Sequence, residues 1–128
     1  MPGDVFGNGN LIVEKFLPGM DGDDYLVRYC YFFGDRDMNI ILKSKRKIVN
    51  EATAFHIGEA PAQPELHSIR RRLGFDCGKF DYVLRDGRVM LLDVNRTPTL
   101  GTSRLIEKKA ARWLAGGIWP LLERRAQK

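Results

Sequence analysis

Four residues in the second half of the chain have the types and spacing to do chemistry together: Lys79, Asp81, Asp93 and Asn95, all within "KFDYVLRDGRVMLLDVN". Asp93 and Asn95 are two apart, so on one strand their side chains leave the same face, about 6.5–7 Å apart at Cα. Two carboxylates and an amide oxygen, few in number and leaving open positions, suit Mg²⁺ shared with a substrate phosphate. The plainer reading is a solvated sheet face with Lys79 paired to Asp93. For any single strand aspartate that reading wins; for the set, followed at once by "RTPTLG", the metal is favoured.

Whether the set converges depends on register. "CGKFDYVL" and "RVMLLDVN" read as two strands around an Asp86-Gly87 turn. With a two-residue type I′ turn, position 81 faces 92, and Asp81 and Asp93 point to opposite sides of the sheet. A carboxylate is then forced among apolar side chains, or the apolar set is split, and an unpaired buried carboxylate costs several kcal/mol, roughly. A three-residue loop, Arg85-Asp86-Gly87 with Gly87 left-handed in a bulge, removes the conflict. Phe80, Tyr82, Leu84, Met90, Leu92 and Val94 then form a core face. Lys79, Asp81, Val83, Val89, Leu91, Asp93 and Asn95 form the other, with its polar members at the end away from the turn.

The elements that must hold this hairpin follow from pattern. "LIVEKFL" (11–17) reads as a short strand stopped by the turn cluster "PGMDGDD". "YLVRYCYFFG" (25–34) is a strand dense in aromatic and β-branched residues, "GDRD" turns it, and "MNIILKS" (38–44) pairs back. Segment 45–63 reads as mostly loop. "PELHSIRRRLG" (64–74) is a helix with Pro64 in its first turn, a Leu66, Ile69, Leu73 stripe and a stop at Gly74. Ile106, Ala110, Trp113, Leu114 and Ile118 give a helical stripe from about residue 103. Gly116, Gly117 and Pro120 break it before a short last helix. The expected class is α+β: an antiparallel sheet of about five strands with two or three helices. Residues 1–10 are a flexible N-terminal tether and 11–128 a single domain.

Composition fits one compact domain: 128 residues, 44% hydrophobic and 29% charged. No apolar run is long enough for a membrane helix, and the N-terminus shows no signal-peptide pattern. Cys30 and Cys77 lack zinc-ligand spacing and read as free thiols, which points to the cytoplasm. The net charge of +5 permits contact with a polyanion such as a nucleoside triphosphate. Nothing matches a nucleic-acid reader by motif. His56 and His67 read as surface histidines without an orienting carboxylate, and no serine or cysteine constellation suggests a nucleophile.

"GKFDYVLRDGRVMLLDVNRTPTLG" resembles the metal-binding end of the ATP-grasp superfamily. There an Asp on one strand and a D/E-x-N-x-x-P pattern on the next hold magnesium against ATP. Asp81, Asp93, Asn95 and Pro98 match residue by residue, and Lys79 falls where the family often has a basic residue. Thr99 departs from the glycine of many members. "LIVEKFLPGMDGDDYLVRY" is similar to the family's hinge strand. The resemblance assigns the adenine edge to the backbone of Lys15, Phe16 and Leu17, with Glu14 opposite the exocyclic amine. It assigns the ribose hydroxyls to Asp21 or Asp24, and points Arg28 towards phosphate or acyl phosphate.

The resemblance spans residues 11–101 and only the C-terminal lobe of an ATP-grasp unit; the earlier lobe, with its glycine-rich loop and lysines, has no counterpart in residues 1–10. It implies the nucleotide-binding half of an ATP- and Mg²⁺-dependent carboxylate ligase, catalytic when completed by an N-terminal lobe, on a partner chain for instance. The alternatives are a non-catalytic remnant that binds a ligand or partner, and a basic nucleic-acid-associated module. An exposed hinge strand without its companion lobe would favour homo-oligomers.

Overall fold

The computed structural model describes residues 8–10, 15–98 and 108–127. Among them are six strands and three helices: β1 (Gly19–Asp21), β2 (Asp24–Phe33), β3 (Arg36–Ser44), β4 (His56–Glu59), α1 (Pro64–Leu73), β5 (Cys77–Arg85), β6 (Arg88–Asn95), α2 (Lys108–Ala115) and α3 (Ile118–Ala126). All strand pairs are antiparallel. The sheet order is β4-β3-β2-β5-β6, with β1 paired to the start of β2. The α+β class holds, with one strand more than expected. No helix among the described residues is long and apolar enough to cross a membrane.

β2 is the central strand, and its sequence shows why. "YLVRYCYFF" is apolar on both faces except at Arg28, as a strand covered from both sides must be. Its even-numbered residues share a face with Phe80 and Tyr82, and α1 covers that face through Leu66 and Ile69. Its odd-numbered residues Val27, Tyr29 and Tyr31 join Ile40, Leu42 and Leu114 of α2 on the other. Phe32 and Phe80 pack 4.8 Å apart at their ring centroids on the first face, and Tyr29 and Tyr31 meet edge-on at 6.4 Å on the second.

α1 ends as its sequence dictates, with Gly74 left-handed and its N–H bonded back to Arg70 and Arg71 carbonyls. Arg70 is not a solvated charge. Its guanidinium lies 4.5 Å over the Phe32 ring and donates to the carbonyls of Phe75 (2.8 Å), Asp76 (3.2 Å) and Gly34. Leu73, the last residue of the helix, is exposed instead of completing the apolar stripe. In the first turn, the Glu65 carboxylate accepts the Val89 N–H at 3.1 Å, covering part of the β6 edge.

Segment 45–63 contains β4, which pairs with β3 from Ile40 to Lys43. Its sequence, "HIGE", is too short and too polar to be read as a strand. The loop before it is ordered by side chains. Buried Ser44 donates to Thr53 O at 2.9 Å, and Asn50 Oδ1 accepts from the N–H groups of Ala52 and Thr53. The strand expected over 11–17 falls partly on residues outside those described. Residues 15–17 form no strand, and β1 lies within the stretch expected to be a turn, closed by Gly22 at φ 59°.

The helical pair α2–α3 is seated by a close backbone approach. Gly34, at the β2–β3 turn, meets Gly117 so closely that a Cβ on Gly34 would overlap the Gly117 carbonyl, and one on Gly117 would overlap that of Phe33. Arg36 stacks 5.3 Å from the Trp113 ring and donates to the Trp113 carbonyl beside this point. Gly117→Ala should therefore push the helices off the sheet and lower stability by about 1–3 kcal/mol, read as a fall in the urea midpoint.

Candidate functional site

The register of the β5–β6 hairpin decides where the carboxylates point. Asp86 and Gly87 both have positive φ, 51° and 74°, the signature of a two-residue type I′ turn, and Arg85 faces Arg88. The expected three-residue loop is therefore absent. Pairing runs regularly from Leu84↔Val89 to Tyr82↔Leu91, then skips: Asp81 faces Asp93, Phe80 faces Val94 and Lys79 faces Asn95. Leu92 is the unpaired residue of a β-bulge. The bulge does what the longer loop was expected to do. Asp81 and Asp93 lie directly opposite one another on one face, with Asn95 two residues on.

The apolar assignment changes accordingly. Val89 and Leu91, expected beside the aspartates, belong to the α1-side core with Phe80, Tyr82 and Leu84. Met90, Leu92 and Val94, expected in that core, are all exposed by more than a third. A two-residue turn pairs Leu84 with Val89, and opposite residues share a face, so the expected alternation fails on the turn side of the bulge.

β2 runs beside β5 and provides the floor of the site. Tyr29 faces Asp81 and Tyr31 faces Lys79. The Lys79 ammonium lies 2.8 Å from Asp81 Oδ1, 4.1 Å from the Tyr29 ring centroid and 5.9 Å from that of Tyr31. Both partners of the ion pair are mostly covered, at 17% and 21% side-chain exposure, while Asp93 is exposed. Asn95 Oδ1 accepts the Thr97 N–H at 2.8 Å, which fixes the amide and leaves its oxygen a second lone pair.

Burial pushes the Asp81 carboxyl above its usual range, and Asp93 adds to the rise. Hydrogen bonding and attraction from Lys79 oppose it. Burial, with the Asp81 charge second, pushes the Tyr29 hydroxyl up to about 12. Among the described residues the site is thus a facing carboxylate pair, Asp81 covered and Asp93 exposed, with the Lys79 ammonium against Asp81. Among the described residues no three His, Cys, Asp or Glu side chains converge. The donor set here is two carboxylates and an amide.

The other expected site residues are not all brought to this point. Arg28 is on the opposite, α1-side face, across from Tyr82, and its field is felt at Asp21 and Tyr82. A strand's alternation separates it from Asp81, since its neighbour Tyr29 is the residue facing Asp81. Asp21 is paired with Lys43, which lowers its pKa through a hydrogen bond, and Asp24 is paired with Lys45. Lys15 and Phe16 are exposed outside any strand, Leu17 is half-buried, and Glu14 lies outside the described residues, as does Thr99. Cys30 and Cys77 are free thiols, and burial pushes Cys30 up to about 12.

Sequence reasoning missed the two tyrosines, which read only as strand aromatics; the neighbour relation of β2 and β5 is a tertiary fact. It also missed a carboxylate beside His67, whose Nε2 lies 3.2 Å from Asp37. A separate open groove of about 720 Å³ runs between α1 and α3, lined by Arg70, Arg71, Arg124, Asp35 and Asp76. With Arg70 committed to backbone carbonyls and the two aspartates opposing the remaining arginines, it is a poor anion site. Comparisons with protein-family models, curated proteins and solved structures found no match.

Like charges directly opposite on a sheet are destabilising. Asp93→Asn should raise stability by about 0.2–1 kcal/mol, measured by urea unfolding. Asp81 holds its proton more tightly folded than unfolded, so its contribution to stability falls as pH rises through the carboxylate range to its raised value, and is flat above. Asp81→Asn should accordingly lose less stability than the unmodified chain as pH rises from the ordinary carboxylate range, measured by thermal melts at stepped pH.

Proposed function

We propose that this chain is the nucleotide-binding half of an ATP-dependent, Mg²⁺-dependent carboxylate ligase that works through an acyl phosphate and is completed by an N-terminal lobe. One observation carries the reading. A β-bulge brings Asp81 and Asp93 face to face, with Asn95 adjacent and Lys79 alongside, where an unbroken two-residue hairpin would have separated them. That is the side-chain set the resemblance to ATP-grasp enzymes assigns to magnesium and phosphate.

The residues fit the metal. Two carboxylates and an amide oxygen are hard donors, and among the described residues only Asp81 of the two facing carboxylates has an ion-pair partner, Lys79. Asp81, Asp93 and Asn95 would hold Mg²⁺, which when bound would offset charge on the nucleotide phosphates. Lys79 adds a fixed positive charge beside them, and the tyrosine floor limits water on one side. The covered position of Asp81 makes each charge there count for more than it would in bulk water.

Of the residues assigned by resemblance, Arg28 drops from this reading, because its face is the wrong one. The hinge residues Lys15, Phe16 and Leu17 remain the candidate adenine contacts. Phe16, 60% exposed, offers the apolar surface a base would cover. The carboxylate acceptor would bind partly on the completing lobe.

Calorimetric titration of Mg²⁺-ATP into the chain tests the proposal. Asp93→Ala and Asn95→Ala should each weaken binding by about tenfold or more, about 1.4 kcal/mol. Unchanged heat in both variants would remove the metal assignment.

A further inference from the structure

The Lys79 side chain is held more elaborately than a surface ion pair needs. Its ammonium touches the inner carboxylate at 2.8 Å and rests on the face of Tyr29, with Tyr31 beyond. Its stem lies on a strand whose register puts it opposite Asn95, the third oxygen donor. The ammonium therefore lies against Asp81 on the β2 side of β5, while Asp93 and Asn95 approach Asp81 from β6 on the other side. It offsets one of two facing carboxylates and leaves the pair with net negative charge. A half-buried carboxylate left without any cation is costly in a partly desolvated place, and Lys79 removes that cost within the chain itself.

We propose that Lys79 is the site's built-in counter-ion: its ammonium holds the Asp81 carboxylate from the tyrosine side, and a divalent cation entering between Asp81, Asp93 and Asn95 must compete with it for that carboxylate. This rests on the metal reading above and deepens it. The carboxylate pair alternates between two partners, the tethered ammonium and the divalent ion, and Lys79 sets how much free metal is needed to exchange them. The tyrosine faces stabilise the ammonium through cation–π attraction whether or not Asp81 is available. A displaced ammonium would remain close to the site, next to the phosphates that arrive with the metal.

The test uses Mn²⁺ alone, counted by the loss of the free-ion paramagnetic resonance signal, on the full chain without nucleotide. Lys79→Met keeps the stem against Tyr29 and removes the charge. It should bind Mn²⁺ about tenfold more tightly than the unmodified chain, as expected when a competing charge is deleted. Lys79→Arg, which keeps the charge, should stay within about twofold, well inside the 1.4 kcal/mol of a tenfold change.

Equal or weaker Mn²⁺ binding by Lys79→Met would overturn the counter-ion role while leaving the metal site standing. No Mn²⁺ binding by any folded form would overturn the metal reading and this inference with it. A readout on the unmodified chain avoids dependence on the variant's folding. The Lys79 methylene protons, shifted by the Tyr29 ring current, should move towards their solvent positions as Mg²⁺ saturates the site. Mg²⁺ saturation with those signals unmoved would also overturn the proposal.

Discussion

Side chains alternate strictly along a strand, and a two-residue hairpin fixes which positions share a face. In β5–β6 this constraint collides with the sequence. The Asp86-Gly87 turn demands pairing in which Val89 and Leu91 join the α1-side core. Continued without interruption, that pairing would place Asp93 on the same side, among Phe80 and its neighbours. One unpaired residue, Leu92, changes the parity. The core keeps its leucine and valine on the turn side of the bulge, and the carboxylates keep a common face beyond it.

The sheet's centre then gives the carboxylates their environment. β2 is covered on both faces, so whatever lies beside its aromatic residues is partly desolvated. Asp81 sits opposite Tyr29 and is drawn out of water; Asp93, on the edge strand, is not. One carboxylate is therefore positioned and perturbed while its partner stays accessible. Facing acidic groups cost the fold stability. The same central strand separates Arg28 from this environment, because adjacent residues on β2 belong to different faces and different cores.

The helices have separate duties. α1 closes the core beneath the hairpin and, through Glu65, covers part of the β6 edge. α2 covers the tyrosine face at the β2–β3 end through Leu114 and is held there by the Gly34–Gly117 approach and the Arg36–Trp113 stack. Arg70, one of three consecutive arginines, is a structural tie between α1 and two turns. Net positive charge in this sequence is thus only partly available to a polyanion.

Much of this was legible beforehand. β2, β3, β5, β6, α1 and the α2–α3 break follow from alternation, helical spacing and the placement of Pro64, Gly74 and Gly116-Gly117, because these are local preferences of the backbone. The common face of Asp81, Asp93 and Asn95 was legible too, since burying a carboxylate in an apolar core is too costly to accept. The means was not. A bulge and a longer loop restore the same parity, and only the competition of core packing with turn geometry chooses between them. β4 escaped notice because its strand character comes from pairing with β3, not from its own residues. The tyrosine floor, the Lys79–Asp81 pairing and the exclusion of Arg28 depend on which strands become neighbours, and long-range contacts decide that.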